Sequence, residues 1–170
     1  MSNDLARLAA DRYEIADALH RIAFGLDHGD ADSLSSALTE DCVLDFRPAG
    51  KKLALDFPRL TGRKAIVDAL IPLLGPLDTS HTVTNLQIEI DDDSATLYCY
   101  VMAQHFMPRQ GSRPGSENAL LMNDCQFVRD DQKWRFRQIM IYNAWAQGNP
   151  EILNALATRR VLTAKPKPPK

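Results

Sequence analysis

The chain has 170 residues, 45% of them apolar and 25% charged, with a formal net charge of −2. That length suffices for one domain with a real core, and the balanced charge excludes the basic footprint that nucleic acid or an anionic membrane requires. Cys42, Cys99 and Cys125 are too scattered for a disulfide frame or a zinc site and read as small buried residues of a reducing compartment.

The opening MSNDLARLAA is acidic and polar where a secretory signal needs a basic start and an apolar run. No window reaches the length of a membrane span, so a cytoplasmic protein is expected. Leu5, Leu8, Ile15, Leu19, Ile22 and Leu26 recur at helical spacing and predict an amphipathic helix over 4–28. Asn3 or Asp4 is its expected cap and His28-Gly29 its end. Asp30 and Asp32 are placed to cap a short second helix with Leu34, Ala37 and Leu38 inward. A short strand over 42–46, a turn at 48–50 and a helix over 62–74 follow, the last closed by Pro72, Gly75 and Pro76.

Beyond residue 80 the apolar period changes from helical to alternating. Residues 82–90 and 95–107 predict a hairpin around Asp91–Asp93, and 120–128 with 134–142 a second around Asp130-Asp131, with a loop at 111–115 between them. A terminal helix is expected over 149–160, within one domain spanning 1–160. Residues 161–170, ending KPKPPK, read as a disordered basic tail. Helices first and a strand meander after them imply an α+β fold: a cone-shaped, curved antiparallel sheet with the N-terminal helices on its concave face. The open end of such a cone is an apolar pocket.

Strand parity places 81, 83, 85 and 87 on one face and 97, 99, 101, 103 and 105 on another. The second row is Leu97, Cys99, Val101, Ala103 and then His105, a polar group ending an apolar face. Asp27 sits among the last carbonyls of its helix, where a carboxylate is unfavourable without a cationic partner, and a histidine meets that need. Each residue alone has an ordinary explanation: His105 as a core histidine on a backbone carbonyl, His81 as an exposed residue before a strand, Asp27 as a helix-end carboxylate. Asn123 is a polar residue in the apolar row of Leu121, Cys125 and Phe127. Val43, Phe46, Val83, Val101 and Ile139 are expected to wall the pocket. His20 and His28 fall on other helix faces. Asp91–Asp93 lacks the calcium-loop pattern, no metal site is expected, and no nucleotide-binding glycine loop, serine elbow or Cys-His pair is present in the sequence.

Three segments, LDHGDADSL, SHTVTN and VMAQHF, together with the W-R-F element at Trp134, resemble the SnoaL-like branch of the nuclear transport factor 2-like superfold across roughly residues 5–150. The motifs are most similar to the scytalone dehydratase family and its relatives, which include bile-acid dehydratase and hexachlorocyclohexane dehydrochlorinase. The resemblance implies an Asp-His pair working without a cofactor, with Asp27 as carboxylate, His81 as base, His105 as second histidine and Asn123 as a substrate contact. It also implies that Leu26 and Phe46 stand where that family carries two tyrosines holding a carbonyl through water. Scytalone itself is therefore not the expected substrate. The expected function is a cofactor-independent lyase, dehydratase-like, on a small, largely apolar cyclic or aromatic substrate. An isomerase or cyclase using the same base, and a non-catalytic binding or assembly subunit, are the alternatives. A homodimer or homotrimer is expected to cover the outer sheet face bearing Tyr98, Tyr100, Met102 and Met122, with no nucleic acid or membrane partner.

Overall fold

The computed structural model describes residues 2–106, 117–130, 133–148 and Leu153, and for residues 2, 3 and 117–126 the backbone alone. Helix α1 spans Ser2–His28, so Asn3 and Asp4 lie inside its first turn and do not cap it. Gly29, at φ 66, ends it, as a residue free to adopt the left-handed conformation does. In α2 (Ala31–Ser36) the Asp30 carboxylate accepts from the N–H groups of Asp32 and Ser33, satisfying donors the helix cannot.

Strand β1 (Leu38–Asp45) leads into α3, Arg47–Leu53, where the sequence predicts a turn. Pro48 misleads there: at a helix start its missing N–H costs nothing and its fixed φ suits the helix. Ala54, left-handed at φ 56, then ends α3. Short β2 (Arg59–Thr61) precedes α4 (Arg63–Leu74), which contains Pro72 in its last turn. The meander follows: β3 (Asp78–Asp91), β4 (Ser94–Phe106), β5 (Glu117–Asp130) and β6 (Lys133–Gln147). The expected 111–115 loop, the tail at 161–170 and all of the expected terminal helix except helical Leu153 lie outside the described residues.

The six strands form one curved, unclosed sheet in the order β2-β1-β6-β5-β4-β3. It is mixed, not antiparallel throughout, because β1 lies parallel to β6. Hairpin logic fixes the direction of consecutive strands only, and β1 meets β6 after the whole intervening chain.

A second departure lies within β3. Its pairing with β4 shifts between Thr84 and Gln87, and Asn85 has φ 55, a bulge at a residue type that tolerates this conformation. The inward row therefore runs Thr79, His81, Val83 and then Leu86, Ile88, Ile90. Positions 85 and 87, expected beside His81, are exposed. On β4 the alternation is unbroken: Leu97, Cys99, Val101, Ala103 and His105 are buried, whereas Tyr98, Tyr100 and Met102 are exposed.

Helix α1 lies in the concavity, burying Ile15, Ala18 and Leu19 against Leu97, Phe127 and Phe136. Each such large side chain contributes roughly 1.5–3 kcal/mol by leaving water. Near the narrow end, Asp11 of α1 accepts from Trp134 Nε1 at 3.0 Å and Arg129 Nη2 at 2.7 Å. The Arg129 guanidinium lies 4.7 Å over the Trp134 ring. Burial pushes the Asp11 carboxyl up, but these bonds and the charges of Arg129 and Arg7 hold it below the usual range.

Candidate active site

The site forms where the last turn of α1, the start of β3 and the end of β4 converge. The turn after α1 is tight because residue 25 is glycine: a Cβ there would lie 2.8 Å from the Leu34 backbone nitrogen. The Asp30 N–H donates to the Gly25 carbonyl at 2.9 Å, so α2 folds back against the turn that carries Asp27.

Asp27 reaches β3 by three hydrogen bonds. His81 Nδ1 meets Oδ1 at 2.6 Å, the His81 backbone N–H donates to Oδ2 at 2.9 Å, and the Thr79 hydroxyl donates to Oδ1 at 2.9 Å. Burial alone would raise the Asp27 carboxyl pKa. The His81 ring, its amide, its charge and the Thr79 hydroxyl outweigh that and hold it below the ordinary range. An ionised carboxylate only accepts, so neutral His81 carries its proton on Nδ1 and leaves Nε2 as the basic atom. The imidazole is 9% exposed and the carboxylate 19%, and His81 lines the cavity at the open end.

His105 stands beside it. The two rings are edge to face, with centroids 5.6 Å apart and planes at 88°. Only 4% of His105 is exposed, and its Nδ1 is buried with no hydrogen-bond partner among the described residues. Burial, reinforced by the charge of His81 and opposed by that of Asp27, pushes its pKa down to about 4. At neutral pH His105 is thus an uncharged imidazole, one nitrogen donating and the other accepting.

Both histidines open onto a cavity of about 320 Å³ whose walls are otherwise almost wholly apolar. Phe46, Val83, Val101 and Ile139 line it, with Leu26 and Leu70. Val43 does not: it lies on the opposite side of β1, against a polar surface depression with Asp41 and Gln138. Residues 43 and 46 differ by an odd number, so strand alternation cannot turn both inward; Leu44 takes the inner position. The Asn123 side chain lies outside the description; its backbone pairs in register with Cys99 and Ile141. His28 is turned away, its ring stacked on Phe24 at 4.0 Å. Thr79 is the site residue the sequence reading missed. The signal was its spacing, two residues before His81 and hence on the same strand face. Among the described residues, no group of His, Cys, Asp and Glu is placed to hold a metal ion.

A family description of a SnoaL-like domain matches residues 7–139. Terrestric acid biosynthesis cluster protein E of Penicillium crustosum is 31% identical over 145 residues, which cover 82% of this chain and 87% of that protein. A type 2 hexachlorocyclohexane dehydrochlorinase superimposes with a TM-score of 0.70 at 20% identity, over 85% of this chain and 91% of that one. A Novosphingobium aromaticivorans protein assigned as a scytalone dehydratase does so with a TM-score of 0.64 at 21% identity, over 86% and 91%. These two likenesses are of fold, and the cone is the nuclear transport factor 2-like, cystatin-like one expected from the sequence.

Proposed function

The chain belongs to the SnoaL-like family, and we propose that it is a small-molecule enzyme: a cofactor-independent lyase that removes water from a neutral, largely apolar cyclic substrate. The observation that carries this reading is the Asp27–His81 pair, in which the carboxylate occupies one nitrogen of an imidazole that lines an apolar cavity. Names of similar proteins point the same way, since a dehydrochlorinase and a scytalone dehydratase both act by elimination.

His81 Nε2 takes the proton from carbon next to the substrate carbonyl, and the electron pair of that C–H bond moves to the carbonyl oxygen. Asp27 stabilises the imidazolium so formed. His105, neutral in its buried position, cannot deliver a proton as an imidazolium and instead donates a hydrogen bond to the enolate oxygen. The enolate then collapses and expels the β-hydroxyl. That oxygen takes the proton back from His81 and leaves as water, so protons and electrons balance with no external oxidant or reductant.

The exposed outer row of Tyr98, Tyr100 and Met102 fits a homodimer or homotrimer that covers this face; light scattering at micromolar concentration checks it. The chemistry is tested by incubating the protein with a panel of uncharged cyclic β-hydroxy ketones and following products by mass spectrometry. Loss of one water, abolished in His81→Ala, is the expected result. A product of unchanged mass would make the enzyme an isomerase or cyclase. No His81-dependent product would sink the catalytic reading.

A further inference from the structure

We infer that Thr79 is a positioning residue: its hydroxyl fixes the Asp27 carboxylate and thereby holds the His81 ring with Nε2 unprotonated and directed at the cavity. This role presupposes His81 as the base proposed above.

The geometry distinguishes it from a surface threonine finding a convenient acceptor. Asp27 belongs to α1, while every donor to it among the described residues belongs to a three-residue stretch of β3. The His81 amide holds Oδ2, and the Thr79 hydroxyl holds Oδ1, the oxygen that also meets the imidazole. With both bonds in place the carboxylate plane is fixed from two points before the ring takes part. Without Thr79, Oδ1 is held only by the ring it must orient, and rotation of the carboxylate carries the imidazole with it. Thr79 is also half-buried, not enclosed. A β-branched residue is stiff about its first side-chain torsion, which suits a fixed strut. In register Thr79 pairs with His105, so a single rung of the sheet carries both the strut and the second histidine. Hydrogen-bonded partners behind a working histidine are worth roughly 10–100-fold where that histidine holds a metal, and a base has the same need for a fixed ring.

The test needs no substrate. Nitrogen-15 NMR of the whole chain reads the tautomer of His81 in the wild type, Thr79→Val, Thr79→Ser and Asp27→Asn. Valine keeps the shape and strand preference of threonine, and Thr79→Ser returns the hydroxyl should Thr79→Val disturb the strand. The expected result is an Nδ1–H to Nε2–H ratio lowered about tenfold in Thr79→Val, the size of one charge-assisted hydrogen bond. It returns toward wild type in Thr79→Ser and is lowered at least as far in Asp27→Asn. If Asp27→Asn moves the His81 signals and Thr79→Val does not, the strut is wrong and the pair stands. If neither moves them, both the strut and the catalytic pair are wrong.

Discussion

Helix α1 presents two carboxylates to the sheet, about 24 Å apart along its axis at the usual rise, and the molecule uses them in opposite ways. Asp11 meets Trp134 and Arg129, groups that only donate, in the packed end of the cone. Asp27 meets Thr79 and His81, and the histidine has a second nitrogen that the carboxylate does not occupy. The same acceptor on the same helix is a clamp where its donors end there and a site where one of them continues into a cavity. What separates structure from chemistry is the partner's remaining valence, not the carboxylate.

Breaking the open end is expected to have the largest effect. His81→Ala should lower turnover on the order of 10²–10⁴-fold with a smaller change in the urea midpoint, because Asp27 keeps the Thr79 hydroxyl and the residue-81 amide as donors. Breaking the closed end should do the reverse. Asp11→Ala leaves the Trp134 N–H without that acceptor while Arg129 keeps Asp93, a loss of about 1–3 kcal/mol by the usual cost of an unsatisfied buried donor. Urea denaturation should register it, with kcat per folded molecule unchanged.

The open end should also carry a pH signature above about pH 4, where the closed end, whose Asp11 titrates below the usual carboxylate range, carries none. The pKa of His105 lies near 6.5 when exposed and is pushed to about 4 in the fold, so between these values the unfolded chain binds more protons. Stability is therefore full above about pH 6.5 and falls by about 3 kcal/mol as pH drops through 4. His105→Leu should flatten that window in denaturation curves recorded across it. The smallest effect is expected from Arg7, 3.8 Å from Asp11 with its side chain 69% exposed. Arg7→Ala should cost about 0–0.5 kcal/mol, and a larger loss would mean that the clamp extends to the surface.

Much of this arrangement was legible in the sequence because it is written in local periods. The run from Leu5 to Leu26 gave the long helix, and Leu97 to His105 gave an inner face that the structure keeps residue for residue. Asp27 and His81, fifty-four positions apart, could be paired in advance because LDHGDADSL and SHTVTN resemble the family's Asp and His segments; the helix-end carbonyls alone said only that Asp27 calls for a cationic partner. What escaped was non-local or masked by turn-like composition. The parallel contact of β1 with β6 leaves no trace in either segment. Pro48 and Gly50 look like a turn, yet here they occupy a short helix. Placing Val43 inward required a parity incompatible with Phe46, and Thr79 was lost because the strand was started four residues too late.

The bulge at Asn85 has a consequence for how this chain can vary. It makes the stretch between Val83 and Leu86 a spacer whose length, more than its composition, is under constraint. Deleting one residue there would bring the His81 row and the Ile88 row to one parity, and plain alternation would keep both inward without the bulge. Removing two would leave the rows of opposite parity with no spare residue to absorb it, and the strand would then have to send one of them to solvent. Substitution is comparatively free, and Asn85→Gly, which relieves a left-handed backbone, should be accepted outright. Descendants of this sequence can thus drift in side chain at this point of the sheet or shed the extra residue, whereas the loss of two would cost them either the proposed base or the core.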